Sequence, residues 1–281
     1  MTGSAAKLRI ASVSFLNARP LIEGLDENPS VDLTLDVPSK LMDGLLDARY
    51  DVALLPVIDY QRLENLVLIP AGGIGSDGET LTVRVFSRVP IQEIRTLACD
   101  PDSHTSVALA RIILAQRYGQ RPEFIDLRNS TGNEHEARLL IGDKVIIDAP
   151  RDMAHQLDLG AEWKALTGLP FVFAAWMARN DVDVDRAFPI LEHAKMAGLA
   201  SIDAIVRRHG VPLGWPRDLA HQYLTGHLRF HIGQCELEAM RLFYRFAADE
   251  GLINAVRELK VKAPCTSWPI PAPCELDTSA R

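Results

Sequence analysis

The stretch PSKLMDGLLDARYDVALLP, residues 38–56, decides the fold class. Its first half places Leu41, Met42, Leu45 and Leu46 on one helical stripe, with Ser39 standing where an N-cap belongs. Its second half, DVALLP (51–56), is a short apolar run of the kind a strand buried on both faces requires. Upstream, residues 31–37 alternate like a strand and residues 8–12 form another. Between them, SFLNARPLIEGL turns into a helix with Leu21, Ile22 and Leu25 on one face. This strand–helix–strand–helix–strand rhythm predicts an α/β protein whose parallel sheet carries ligand sites at the strand C-termini.

Downstream, residues 66–70 read as a strand and the GGIGSDGE run (72–79) as a hairpin turn. The run lacks the Lys-Ser/Thr ending of a phosphate loop, and it precedes a strand at 81–86, not a helix. A second set of elements begins at Ile94. It comprises a strand at 95–99, a loop entering a helix in DPDSHTSVALARIILAQRYG, a strand at 122–127, and strand–turn–strand in RLLIGDKVIID (138–148). Residues 157–176 then run back in extended form. Helical periods follow at 186–208, 217–225 and 235–250, the last ending at Gly251. The proline-rich tail, 260–281, is expected to be largely unstructured.

Two extended segments, 82–88 and 171–179, bracket the middle block. Two crossings make a two-lobed fold with a hinge and an interlobe cleft: residues 1–87 and 177–281 form a discontinuous first lobe, and 88–176 the second.

The 281 residues are 47% apolar and 24% charged, an ordinary globular composition. A net charge of −7 argues against a nucleic-acid binder. It also means that any anionic ligand must be attracted locally, against the global field. The N-terminal MTGSAAKLRIASVSF has no apolar core of signal-peptide length, and no stretch approaches a membrane span, so a cytoplasmic protein is expected. Cys99, Cys235, Cys265 and Cys274 show no metal-binding spacing and are read as reduced thiols at packing or surface positions.

Three segments share one design, in which a strand ends, small polar residues follow and a helix begins. They are Ser14-Phe15-Leu16-Asn17, Pro38-Ser39-Lys40 and Ser103-His104-Thr105-Ser106. Helix N-termini carry unpaired N–H groups and about half a positive charge, so they receive carboxylates without Lys or Arg. Taken singly, each hydroxyl also reads as a plain helix cap. Asn17 both donates and accepts at the mouth of the crevice, or else stabilises a turn. Asp143, in the IGD turn, orients a ligand hydroxyl, acts as a base or, as an Asp after Gly more often does, simply closes the turn. His104 either serves the loop or points to solvent beside Asp102. His221, His227 and His231 lack a metalloprotease pattern, so no metal site is assigned. Neither a nucleophile elbow nor a dinucleotide fingerprint occurs.

SFLNARPL, PSKLMDGLLDARYDVALLPV, VRVFS, DSHTSVALARIIL, LLIGDKV and DLGAEWKALTGLPFVFAAW occur in this order between Arg9 and Gly251. Together they resemble the chorismate dehydratase family of the futalosine route to menaquinone. The resemblance implies a type II periplasmic-binding-protein-like fold in a non-periplasmic protein. It also implies the conversion of chorismate, a small anion, to 3-[(1-carboxyvinyl)oxy]benzoate with no cofactor. Carried over by motif, the site comprises Asn17 as the catalytic residue, with Ser39, Ser87, Ser103, Thr105 and Ser106 binding substrate; Asp143 of IGD is a weaker transfer, and Ser14 joins the substrate-binding set from its place in the first strand-to-helix loop. Phe15 stands where the family more often has Tyr, and His104 where a basic residue is commoner.

The polar loop residues are poor bases, which leads to an expectation of substrate-assisted catalysis: Asn17 and the serines hold the enolpyruvyl carboxylate over the C3 hydrogen. The alternatives are a sister enzyme forming 1,4-dihydroxy-6-naphthoate and a non-catalytic solute-binding protein.

Overall fold

The computed structural model describes residues 6–100, 103–129 and 135–264. The chain opens with β1 (Leu8–Ser12), α1 (Arg19–Ile22), β2 (Val31–Leu35), α2 (Pro38–Leu46), β3 (Val52–Pro56), α3 (Asp59–Arg62) and β4 (Leu66–Ser76). It then enters β5 (Val83–Ser87), β6 (Thr96–Cys99), α4 (His104–Tyr118), β7 (Glu123–Asp126), β8 (Ala137–Ile141), α5 (Lys144–Ile147) and β9 (His155–Asp158). Helix α6 (Leu159–Thr167) leads back to β10 (Phe171–Arg179). After it come α7 (Val184–Ala200), α8 (Ile202–Ile205), α9 (Arg217–Gln222), β11 (Leu228–Arg229) and α10 (Gln234–Asp249).

Among the described residues the strands form two sheets, ordered β11-β4-β10-β3-β1-β2 and β7-β6-β8-β5-β9. Strand β1 runs parallel to β2 and β3, and β10 lies antiparallel between β3 and β4. In the second sheet β6 is parallel to β7 and β8, while β5 is antiparallel to β8 and β9. This is the two-lobed α/β architecture expected. The crossings, however, lie elsewhere: β5 joins the second sheet and β10 the first, so the chain changes sheet within 77–82 and 159–170, not at 87/88 and 176/177. Alternation reveals a strand but not its partner.

Three further elements differ from expectation. The glycine run is strand, not hairpin, because β4 continues to Ser76 and is buried throughout. A Cβ on Gly73 would lie 2.6 Å from the Ala174 carbonyl oxygen, and one on Gly75 2.6 Å from that of Phe171, so glycine lets β10 approach. A short helix, α5, replaces the second strand expected in 138–148. Residues 159–167 are helical because the Asp158 carboxylate caps them, accepting from the Gly160 and Ala161 N–H groups at 3.1 Å each.

Asp158 does more than cap. It also accepts from the Thr80 and Leu81 N–H groups at 2.9 Å each, so one carboxylate ties both crossings together. Gly160 sits at that junction, where a Cβ would be 2.3 Å from Thr80 Cγ2 and 2.5 Å from the Gly78 carbonyl oxygen. Beside it, Trp163 packs edge-on against Phe171, Phe243 and Phe246, and Phe171 against Phe243 at 5.1 Å between ring centroids. Among the described residues a large apolar core cluster runs through both sheets, with a smaller one of Phe86, Val145 and Met153 beside the second.

The start of the tail is ordered against the first sheet. Val261 bridges Leu68, and the Tyr60 hydroxyl donates to the Glu258 carbonyl and accepts from the Lys260 N–H, both at 2.9 Å. Residues 265–281, where Cys265 and Cys274 fall, lie outside the described residues. Cys99 is free and its thiol is pushed up to about 12 by burial, whereas Cys235 is disulfide-bonded, against the expectation of reduced thiols. No helix among the described residues is long and apolar enough to cross a membrane.

Candidate functional site

A cleft with about 710 Å³ of atom-free space opens between the two sheets. The first lobe supplies the loop after β1, with Val13, Phe15 and Asn17, and the ends of β3 and β4, with Pro56 and Ile74. The second supplies the start of α4 and the end of β8, and the crossing contributes Thr80 and Thr82. Strand C-termini meet a helix N-terminus here, as the βα connections require. Among the described residues lining it there is no lysine or arginine, so its affinity for an anion has to come from N–H dipoles, hydroxyls and His104.

Asn17 is half committed. Its amide joins a hydrogen-bonded set with the hydroxyls of Tyr223 and Thr82, which lie 2.7 Å apart. Burial drives the Tyr223 phenol far above its ordinary range, and the hydrogen bonds with Thr82 and Asn17 offset only part of that, so it stays a protonated donor. The other end of the amide, Asn17 Oδ1, is buried with no partner among the described residues. It is an open acceptor on the cleft wall, suited to a ligand hydroxyl.

Helix α4 carries no side-chain cap and no acidic residue in its first turn. Ser103, at the N-cap position, therefore does not act as a cap; its Oγ is buried and unpartnered among the described residues. Thr105 reaches the opposite lobe, where its Oγ1 accepts from the Ile58 N–H at 3.3 Å. Ser106 is buried on the cleft wall beside it. The structure thus gathers Asn17, Ser103, Thr105 and Ser106 in one place.

Of the others, Ser14, Ser87 and Asp143 do not line the cleft. Ser14 is exposed in the loop after β1 and does not line the cleft. Ser39 is inside α2, whose N-cap is Val37, because Pro38 with its fixed φ takes the first helical position. Its neighbour Pro38 lines the cleft. Ser87 lies at the far end of β5 from the cleft residues Thr82 and Val83, buried, with its hydroxyl donating to the Val89 carbonyl at 2.7 Å. Asp143 works between the lobes: its carboxylate accepts from Trp215 Nε1 at 2.8 Å and from the Leu16 N–H. Burial raises its pKa, against those hydrogen bonds and the charge of Arg19. Trp215 in turn stacks on Tyr223, with ring centroids 4.9 Å apart, so Asp143 braces the cleft from behind.

His104 does not point to solvent beside Asp102, which lies outside the described residues. Its Nδ1 is 2.8 and 2.9 Å from the two carboxylate oxygens of Asp59, whose side chain is fully buried in the opposite lobe. The imidazole lines the cleft. Asp59, Thr82 and Tyr223 carry no local motif, and only the fold brings them to the site. Among the described residues no cluster of three or more His, Cys, Asp or Glu could hold a metal ion.

A family model described as menaquinone biosynthesis matches residues 8–249. The chorismate dehydratase of Thermus thermophilus is 25% identical over 230 residues, covering 74% of this chain and 83% of that one. That of Campylobacter jejuni is 31% identical over 162 residues, 57% of this chain and 58% of its own. Among solved structures, a structural-genomics protein of Archaeoglobus fulgidus superposes with TM-score 0.73 at 16% identity, covering 89% of this chain and 99% of its own. The periplasmic aliphatic sulphonate binding protein of Escherichia coli does so with TM-score 0.63 at 12% identity, covering 96% and 98%. At such identities the likeness is one of fold, and the fold is periplasmic-binding-protein-like.

Proposed function

The chain belongs to the menaquinone biosynthesis family, whose model spans residues 8–249, and from that premise we propose that it is a chorismate dehydratase, a lyase releasing water and 3-[(1-carboxyvinyl)oxy]benzoate. The observation that carries this reading is the pairing, in one cleft, of an uncapped helix N-terminus with the open acceptor of Asn17. Chorismate has two carboxylates and one hydroxyl. The α4 N-terminus and the hydroxyls of Ser103 and Ser106 receive a carboxylate, and Asn17 Oδ1 accepts from the C4 hydroxyl. Orientation matters here because the ring is already one elimination from aromaticity. The protein has to align the C3–H and C4–O bonds, stabilise the departing oxygen and exclude water.

The test is to incubate the purified protein with chorismate and follow the product by mass. Loss of one water with appearance of an aromatic product supports the reading. Tight binding of chorismate without conversion would instead indicate a solute-binding protein, and no interaction would leave the sister reaction, forming 1,4-dihydroxy-6-naphthoate, as the activity to assay.

A further inference from the structure

We propose that Asp143 is the positioning residue for Asn17, clasping the first-lobe loop that carries it when the second lobe closes; this rests on the chorismate reading above. Asp143 stands at the N-cap position of α5, where an aspartate ordinarily directs its carboxylate to the N–H groups of its own helix, yet it makes no side-chain cap. The carboxylate crosses to the first lobe instead. There it accepts from the Leu16 N–H, one residue before Asn17, and from Trp215 Nε1 at 2.8 Å. The turn that carries it is tied to the crossing as well, because the Gly142 N–H donates to the Thr82 carbonyl at 2.8 Å.

The Asn17 side chain is held at its far end by the same set of residues. Trp215 is buried and lies nearly parallel to Tyr223, with 4.9 Å between ring centroids and 19° between planes. The Tyr223 hydroxyl is bonded to the Asn17 amide and, at 2.7 Å, to Thr82. Asn17 Oδ1 has no partner among the described residues, so it is the amide nitrogen that donates to Tyr223. Trp215 is anchored beside the Asn17 loop: its N–H donates to the Gly210 carbonyl at 3.1 Å, and a Cβ on Gly210 would stand 3.4 Å from Leu16 Cδ2. Asp143 therefore reaches Asn17 by two routes, through the Leu16–Asn17 peptide and through Trp215 and Tyr223.

Neither route touches the ligand space directly from Asp143. Gly142 lines the cleft and Asp143 does not. Its effect on the reaction is the direction of the Asn17 amide, whose free oxygen has to meet the C4 hydroxyl along one line. Orientation errors of about 1 Å from residues remote from the chemistry cost up to about 100-fold in rate. Asp143 follows β8 of the second sheet, whereas Leu16 follows β1 of the first, so the clasp forms only in the closed protein. An open cleft then holds an Asn17 that is not yet aimed, and turnover waits for enclosure of the substrate.

The experiment is a double-mutant cycle on the purified enzyme with chorismate. Asp143→Ala should lower kcat by about 10-fold and change KM by less than about 2-fold, since it alters orientation and not a ligand contact. Asp143→Asn, which keeps an acceptor oxygen, should recover most of that loss. In an Asn17→Ala background, Asp143→Ala should change kcat by less than about 2-fold, because no amide remains to be positioned. Melting of every variant is followed alongside, and kcat is taken per folded molecule, so a purely structural role leaves it unmoved in both backgrounds. If Asp143→Ala does not fold, Trp215→Phe, which keeps a ring against Tyr223 and removes the Nε1–H, takes its place in the cycle. An undiminished loss of kcat on top of Asn17→Ala, or a change in KM alone, overturns the proposal. So does an Asp143→Asn enzyme as slow as Asp143→Ala, the result expected of a carboxylate that itself takes a proton. Failure of the underlying reading looks different: the wild type then releases no aromatic product, and that result removes the reaction and the proposal together.

Discussion

Asn17 holds the Tyr223 hydroxyl, itself bonded to Thr82, with one end of its amide, and the Oδ1 at the other end is buried with no partner among the described residues. Asn17→Ala should therefore lower kcat by about 10- to 100-fold, the scale of one hydrogen bond made mainly in the transition state. Melting should fall modestly, by the scale of about 0.5–1.5 kcal/mol for the hydrogen bond the amide makes to the buried Tyr223 hydroxyl, and steady-state kinetics beside a thermal melt read both effects. At Asp143 the titration itself acts on stability. Burial raises its pKa, with hydrogen bonds from Trp215 and Leu16 offsetting part, so the native state holds a proton where the unfolded chain has released it. Its contribution is complete below the ordinary Asp range and is lost as pH rises through the raised value. Asp143→Asn removes this titration and keeps an acceptor for Trp215, so its melting temperature relative to wild type should climb from acid to neutral pH. A constant difference would exclude this account. Asn17 and the Ser103–Ser106 cluster were legible in sequence because each lies where a strand hands over to a helix. Asp59, 45 residues from His104, and Tyr223, 141 from Thr82, offered no local pattern, since distant chain contacts alone create their environments.

Among the elements, the two crossings depend on a single side chain. Asp158 supplies the acceptor for the N–H groups of Thr80, Leu81, Gly160 and Ala161. Loss of the cap alone costs about 0.5–2 kcal/mol, and each buried N–H left unpaired adds about 1–3 kcal/mol where water cannot enter. Asp158→Ala should thus destabilise by at least about 2 kcal/mol in urea titration, with Asp158→Asn between it and the wild type. Gly160→Ala tests the same junction sterically. Its methyl group would meet the Gly78 carbonyl, and a loss of about 1–3 kcal/mol is expected from overpacking. The helix α2 and strand β3 were readable because periodicity and burial agree there. The end of β4 was not, because glycine reads as a turn wherever the strand that packs on it is still unknown. Helix α6 was missed because its apolar residues Leu159, Trp163 and Leu166 blend through Leu169 into Phe171 of the following strand, and the cap at Asp158 is the one local sign of its start.

At the scale of the molecule, the two sides of the cleft are built differently. The crossing side is an apolar core with the Trp163–Phe171–Phe243 aromatic cluster, while the mouth closes on polar contacts, His104 with Asp59 and Thr105 with the Ile58 N–H. Polar contacts exchange readily with water and packed apolar ones do not, so opening should be a parting of the mouth about a fixed back. Small-angle scattering should show a smaller radius of gyration with product than without it. Equal radii would mean that the free protein is already closed. The position of β10 also governs the order in which the chain is completed on the ribosome. Strands β5 to β9 are contiguous, residues 83–158, and can pair as soon as they emerge. The first sheet cannot: β3 and β4 face an empty slot until residues 171–179 arrive to fill it. For the length of that wait, two apolar strands offer unpaired edges to any neighbouring nascent chain. Stalled chains ending before residue 171 should therefore be cut by protease within residues 8–76, and chains extending past residue 179 should resist.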